Sequence, residues 1–122
     1  MGTSKSASDA APWEGGASLF SGRPDPTWSV SARAARRLEE IWENLEPSSA
    51  PPPAAPPLGY RGCFVRDPRG RRWDAYAGSV VLKTGSASES RADPNRQFEK
   101  TLLESAPADI LPASFLNFLR EE

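Results

Sequence analysis

Large apolar side chains recur at helical spacing in residues 32–45. They stand at positions i, i+3, i+4 and i+7, which are Leu38, Ile41, Trp42 and Leu45. This spacing places the four side chains on one face of an amphipathic helix. Ser31 precedes the stripe, and serine is a preferred N-cap because its hydroxyl accepts a hydrogen bond from a free N–H of the first turn. We therefore predict a helix that begins after Ser31 and buries this stripe.

A second pattern, in residues 59–77, is typical of a β-hairpin. Residues 67–70 read Asp-Pro-Arg-Gly, which fits a type I turn with Asp first, Pro second and Gly fourth. Apolar residues alternate imperfectly before the turn and share one face after it. We predict paired strands at 59–67 and 71–77, and a continuation or a further strand at 79–83 after Gly78.

The rest of the chain carries weaker patterns. Residues 17–21 end an apolar run and predict a first strand. Residues 47–58 are so rich in proline that they exclude a helix interior or a central strand, and they predict a semi-rigid connection. Residues 84–92 are polar and serine-rich and predict a mobile loop. Asp93 and Pro94 predict a helix start, and Pro112 predicts another.

Together these elements predict a single α+β domain in residues 17–122, with a Pro/Ala-rich connection at 47–58. Residues 1–16 are rich in Ser, Ala and Gly and predict a disordered N-terminal tail. In the predicted fold, a small antiparallel sheet of three to four strands packs against one long amphipathic helix, and two short C-terminal helices close the rest. A length of 122 residues suits one domain.

A stiff segment at residues 19–28 joins the predicted first strand to the helix. Its glycine can adopt positive φ, and its two prolines fix their own φ, so little entropy is lost when it folds. Arg23 lies near the helix N-terminus, where free N–H groups and the helix dipole favour an anion. The alternative is that Arg23 pairs with an acid or a carbonyl of its own fold. The candidate anion-binding residues are Ser21, Gly22, Arg23 and Arg33.

The same segment resembles one in a group of small uncharacterised bacterial proteins. Those proteins carry an F-S-G-R-P-x-P-x-W run, then a helix, a proline-rich stretch and an L-G-Y-R-G segment. The matching pieces here are residues 20–28 and 58–62, so the resemblance covers the chain from about residue 17. It implies a bacterial origin and the same order of elements, and it carries no activity.

Composition narrows the chemistry that the chain can perform. It has no histidine and a single cysteine, Cys63. The first fact removes the commonest general base and transition-metal ligand, and the second excludes an intrachain disulfide. We predict no catalytic residue, no metal site and no cofactor, and we lean away from an enzyme. The chain shows neither an apolar signal segment nor a run long enough to cross a bilayer, so we expect a cytoplasmic protein without membrane contact.

Charge is distributed unevenly along the chain. The net charge of -1 gives no overall attraction to nucleic acids or membranes, but residues 59–83 carry six basic and two acidic side chains. Arginines beside aromatic residues can grip a phosphate backbone and stack on bases. The alternative for the tryptophan is a place in the core. The candidate contact residues for a partner or a nucleic acid are Arg66, Arg69, Arg71, Arg72, Trp73 and Tyr76.

A non-catalytic accessory or protein-interaction module is therefore the function that the sequence predicts first, with another protein as the partner. Exposed arginines and four tryptophans suit this role because both residue types are enriched at binding hot spots. Nucleic-acid binding through the basic hairpin 61–76 is the alternative. A second alternative is a subunit that contributes to a partner enzyme's active site. The sequence does not indicate the oligomeric state.

Overall fold

Seven strands and two α-helices make up the part of the chain that the structure, a computed structural model, describes: residues 13–19, 25–51, 53–54, 60–107 and 110–111. A 3₁₀ turn, Pro94–Arg96, precedes the second helix. In chain order the strands and helices are β1 (Trp13–Ala17), β2 (Thr27–Val30), α1 (Ala32–Asn44), β3 (Glu46–Pro47), β4 (Cys63–Arg66), β5 (Arg72–Tyr76), β6 (Ser79–Thr84), β7 (Ala87–Ala92) and α2 (Gln97–Glu104).

All seven strands belong to one antiparallel sheet with the order β2-β1-β4-β5-β6-β7-β3. Helix α1 connects β2 at one edge to β3 at the other. The 13-residue helix is about 20 Å long, and the extended residues that flank it, Ser31 and Leu45, add to its reach, so this one connection joins the two edges of the sheet.

The core lies between the helices and one face of the sheet. The stripe of α1 is buried as predicted, together with Val65, Trp73 and Val80 from the sheet and Leu102 from α2. Ser31 is the N-cap of α1, and its hydroxyl accepts a hydrogen bond from the N–H of Ala34 at 3.1 Å. Both the stripe and the cap of this helix are thus confirmed.

The predicted hairpin is also present. Strands β4 and β5 pair in register, with Val65 opposite Trp73, and the N–H of Gly70 donates to the carbonyl of Asp67 at 3.2 Å. The carboxylate of Asp67 closes the turn by accepting from the backbone N–H groups of Arg69 and Arg71. Strand β6 follows after a two-residue turn in which Ala77 and Gly78 both have positive φ.

The prediction of a small sheet of three to four strands against one long helix and two short C-terminal helices is wrong, because the sheet has seven strands. Helix α2 corresponds to the first of the two predicted C-terminal helices. Strand β7 occupies the segment predicted as a mobile loop. It pairs along its whole length with β6, from Ala92 opposite Ser79 to Ala87 opposite Thr84. None of its six side chains is a large apolar one and none is buried, so the chain shows no apolar alternation there.

The first strand also lies earlier than predicted. Strand β1 begins at Trp13, within the segment predicted as a tail, and it pairs with β2 on one side and β4 on the other. Trp13 stacks on Trp73 with ring centroids 5.2 Å apart. The helix predicted at Pro112 lies outside the described residues.

The start of α2 differs from the simple cap that Asp93 and Pro94 predict. A 3₁₀ turn intervenes, with Asn95 and Arg96 in the left-handed region, and the α-helix begins at Gln97. The Asp93 side chain still caps it, because its carboxylate accepts from the backbone N–H of Phe98 at 3.0 Å. Burial raises the pKa of Asp93, and the hydrogen bonds from the backbone N–H groups of residues 97–99 offset part of that rise.

Candidate binding groove

The face of the sheet turned away from both helices carries a groove lined by charged and aromatic side chains. Along β5 and β6, successive side chains point to opposite faces. Trp73, Ala75 and Val80 enter the core, so the residues between them point the other way. We call this second surface the outer face. The register of β4, β5 and β6 places Phe64, Asp74 and Val81 in one row across it.

A groove of about 410 Å³ lies on the outer face. Its volume is within the range of sites that hold a small ligand or part of a peptide. We define the groove by the side chains that the argument uses: Pro53, Arg61, Phe64, Arg72, Asp74, Tyr76, Val81 and Lys83. Three of these are cationic and one is acidic, so the groove is basic in a chain whose net charge is -1.

Phe64 is the aromatic centre of the groove. The guanidinium carbon of Arg72 lies 4.2 Å from the centroid of the Phe64 ring, and that of Arg66 lies 5.4 Å from it. Both distances allow cation–π attraction. The ring also covers Gly16 of β1, where a Cβ atom would collide with it. This absence of a side chain on β1 lets the ring lie flat against the sheet.

Asp74 holds two of the three cations. Its carboxylate accepts from Arg72 Nε at 3.1 Å and from Arg72 Nη2 at 3.0 Å, and it lies 3.4 Å from Lys83 Nζ. Asp74 is about one-third exposed, while Lys83 is more than half exposed. One carboxylate therefore pairs with two cations at a partly exposed position, where each ion pair contributes little to stability.

The connection after β3 forms one wall of the groove. Ser48 extends the pairing of this segment by donating its N–H to the carbonyl of Ser90 on β7. Pro53 then lines the groove, and Arg61 lines it just before β4 begins. Pro53 of the proline-rich connection thus lies against the outer face, and its fixed φ makes this part of the wall stiff.

A buried polar cluster anchors the end of the groove. Glu99 of α2 is fully buried, and its carboxylate accepts from the Tyr60 hydroxyl, from the N–H of Ala77 at 3.0 Å, and from Arg96 Nε and Nη2 at 3.1 Å each. These bonds tie the approach to β4 and the β5–β6 turn to helix α2. The cluster is structural: it holds the strands that carry Phe64 and Tyr76.

Two titratable groups beside Glu99 keep their protons. Burial raises the pKa of Tyr60 above its usual range, and the neighbouring Cys63 and Glu99 raise it further. Burial likewise raises the pKa of Cys63 well above its usual value, with Glu99 adding to the effect. A thiol in this state is a poor nucleophile because the thiolate is the reactive form.

The structure divides the predicted hairpin contacts between two faces. Arg66, Arg72 and Tyr76 lie on the outer face, and Arg66 pairs with Glu14. Arg71 pairs with Asp67 and Glu39 and lies over the buried ring of Trp73. Trp73 is 1% exposed, so it cannot stack on a base. Arg69 lies exposed in the turn between the strands. The six residues therefore do not form one contact surface.

The predicted anion-binding elbow cannot be placed, because Ser21, Gly22 and Arg23 lie outside the described residues. Arg33 is exposed in the first turn of α1. At that helix end the Ser31 hydroxyl already takes the N–H of Ala34. The elbow therefore stays a prediction.

Sequence reasoning missed six members of the groove: Pro53, Arg61, Phe64, Asp74, Val81 and Lys83. They come from three strands, from the proline-rich connection and from the approach to β4, and each is unremarkable in its own stretch of chain. The available signal was the alternation along residues 72–76 and 79–83, which separates core from outer-face positions once strand pairing is known.

Comparison of the chain with models of known protein families, with curated proteins and with solved structures finds no match. Within the described ranges, no helix has the length and apolar character needed to cross a bilayer. Function therefore has to be argued from the groove itself.

Proposed function

We propose that this chain is a non-catalytic protein-interaction module that binds an acidic segment of a partner protein in the outer-face groove. The observation that carries the proposal is that three cations, Arg61, Arg72 and Lys83, line one groove with the Phe64 ring and a single acid. Cations around an apolar centre suit a segment that offers carboxylates and some apolar surface. Complementary charge of this kind favours specificity and fast association.

The shape of the groove supports a peptide segment. Its floor is formed by adjacent strands, so ligand side chains would meet Phe64, Asp74 and Val81 in one row. Its wall at Pro53 belongs to a proline-rich connection, and the fixed φ of proline limits the entropy that is lost on binding. A largely preformed site of this kind binds a short segment without first folding itself.

The chemistry of the groove supports binding rather than catalysis. Cys63, the single thiol of the chain, is 4% exposed, and burial raises its pKa. Asp74 is engaged with Arg72 and Lys83, so it is a counter-ion rather than a base poised over a substrate. The side chains in the groove are thus arranged to recognise charge.

Nucleic-acid binding is the second candidate, and one observation favours it. Arg66, Arg72 and Lys83 are each at least two-fifths exposed on the same face, and the two arginines lie beside the ring of Phe64. This set of contact residues is smaller than the one predicted from the sequence, because Trp73 is buried and Arg71 lies on the other face of the sheet. A phosphate backbone would meet the same cations as an acidic peptide, so both ligands belong in one experiment.

Fluorescence anisotropy tests the proposal with a labelled peptide that alternates glutamate and serine, in low salt where charge contacts are strongest. We expect the wild-type chain to bind this peptide and not its glutamine counterpart. Lys83→Gln should weaken binding about fivefold, which corresponds to a loss of about 1 kcal/mol. Arg37→Gln removes the same charge from the exposed surface of α1 and should change little.

Two outcomes of this experiment contradict the proposal. Equal loss of affinity in Lys83→Gln and Arg37→Gln would mean that net charge, and not the groove, drives binding. Tighter binding of a single-stranded oligonucleotide of equal charge, with the same dependence on Lys83, would favour the nucleic-acid candidate.

A further inference from the structure

We infer that Asp74 is a built-in competitor of the ligand, a resident carboxylate that occupies the anion position of the groove and sets how acidic a ligand must be. This inference rests on the proposed function. Three contacts carry it: Arg72 Nε and Nη2 lie 3.1 and 3.0 Å from the same carboxylate oxygen, and Lys83 Nζ lies 3.4 Å from the other oxygen.

The position of Asp74 makes it a competitor rather than a structural ion-pair partner. It lies on the middle strand of the three that form the floor, between Phe64 and Val81 in the register. An anion that bridges Arg72 and Lys83 competes for the N–H groups that the Asp74 carboxylate now occupies. The pairs that it would displace are partly exposed, and such pairs are weak.

The contrast with the neighbouring ion pairs supports this assignment. Arg71 binds Asp67, whose side chain is 2% exposed and which also closes the β4–β5 turn with two backbone hydrogen bonds. Asp67 therefore has a structural role. Asp74 accepts hydrogen bonds from Arg72 alone in the described part of the chain, with Lys83 nearby, and both cations line the groove.

The ligand class follows from this geometry. A single neutral hydrogen-bonding group cannot displace a carboxylate from two cations. A segment with two or more carboxylates can, since one of them replaces Asp74 while the others add charge attraction within the same basic groove. The groove should therefore discriminate steeply between a peptide with one acid and a peptide with several.

Replacement of the competitor by an isosteric neutral group tests the inference. We expect Asp74→Asn to bind the glutamate–serine peptide about three- to tenfold more tightly than the wild type, the range given by the loss of two weak ion pairs. Glu40→Gln is the matched control. It also removes one acid and releases a cation, Arg37, from an exposed pair 3.7 Å apart, but on helix α1. It should change affinity less than twofold.

The outcomes separate this inference from the proposed function. Binding by the wild type with unchanged or weaker binding by Asp74→Asn would overturn the competitor role and leave the groove as the site. Equal gains in Asp74→Asn and Glu40→Gln would also overturn it. Absence of binding by both the wild type and Asp74→Asn would remove the proposed function itself. Asp74→Ala provides a second variant, and it should gain affinity in the same direction if Asp74→Asn is unstable.

Discussion

Arg96 presents Nε and Nη2 to the two carboxylate oxygens of Glu99, each at 3.1 Å, although Glu99 is fully buried. Arg96 reaches this position from the left-handed region of the backbone, with φ of 55°. A non-glycine residue persists there only when the surrounding structure compensates for the strain. The bidentate pair supplies that compensation, so the 3₁₀ turn and helix α2 depend on it.

Glu99→Gln should therefore lower the free energy of unfolding by about 3 kcal/mol, because removal of one partner leaves Arg96 with an uncompensated charge. The Tyr60 hydroxyl and the N–H of Ala77 would also lose part of their acceptor. Urea unfolding followed by circular dichroism measures the change. Glu104→Gln, at an exposed position of the same helix, is the control and should cost less than about 0.5 kcal/mol. Similar losses in both variants would contradict the role of the buried pair.

The folded protein should lose stability in alkali through Cys63. Burial raises the pKa of its thiol above the usual value of 9.0, so above pH 9 the unfolded chain releases a proton that the folded chain retains. The stabilising contribution is thus complete below pH 9 and falls by up to about 1.4 kcal/mol per pH unit above it. The stability of the wild type relative to Cys63→Ala, measured by urea unfolding from pH 7 to 10.5, should fall in this window. A pH-independent difference would contradict it.

Arg91 of β7 should stabilise the C-terminal end of α1. Its guanidinium lies 4.2 Å from the centroid of the Trp42 ring and donates to the Trp42 carbonyl at 2.7 Å. Lysine keeps the charge but loses the planar stacking, so Arg91→Lys should cost about 1 kcal/mol. Thermal unfolding measures this, with Arg36→Lys on the exposed side of α1 as the control. Equal melting temperatures of the two variants would contradict the stabilising role of Arg91.

Gly15 should not tolerate a side chain. A Cβ atom there would lie 2.9 Å from Trp28 Nε1 and 3.1 Å from Leu102 Cδ1, and both residues are buried. Gly15→Ala should cost about 1–3 kcal/mol through overpacking. Gly16→Ala should cost less, because there the obstacle is the edge of the Phe64 ring, which is only half-buried and can move aside. Urea unfolding measures the loss of stability in both variants. An equal loss would show that the contacts with Trp28 and Leu102 do not make Gly15 the more sensitive position.

What the sequence alone could predict were the features that local spacing encodes. The stripe of α1 and its Ser31 cap are short-range patterns, and the hairpin turn at residues 67–70 carries its own turn residues. Strand β7 has no such pattern, because it has no large apolar side chain and none of its residues is buried. Its one local signal was the two-residue turn at Gly85 and Ser86, where Gly85 has φ of 61°.

The groove was beyond local reasoning for a different reason. Arg71 and Arg72 are neighbours in sequence, yet the strand turns them to opposite faces, where one meets Asp67 and the other Asp74. Phe64 and Val81 are far apart in sequence but share a row through the register of three strands. A site of this kind becomes visible only when the pairing of the strands is known.

Chemical-shift mapping tests the central claim, which is that the groove binds an acidic segment, most directly. The ¹⁵N-labelled chain would be titrated with the glutamate–serine peptide in low salt. The account predicts that the largest amide shifts occur at Phe64, Asp74 and Val81, while Leu38 and Ile41 of α1 move little. Shifts centred on α1, or equal shifts with the glutamine–serine peptide, would contradict it.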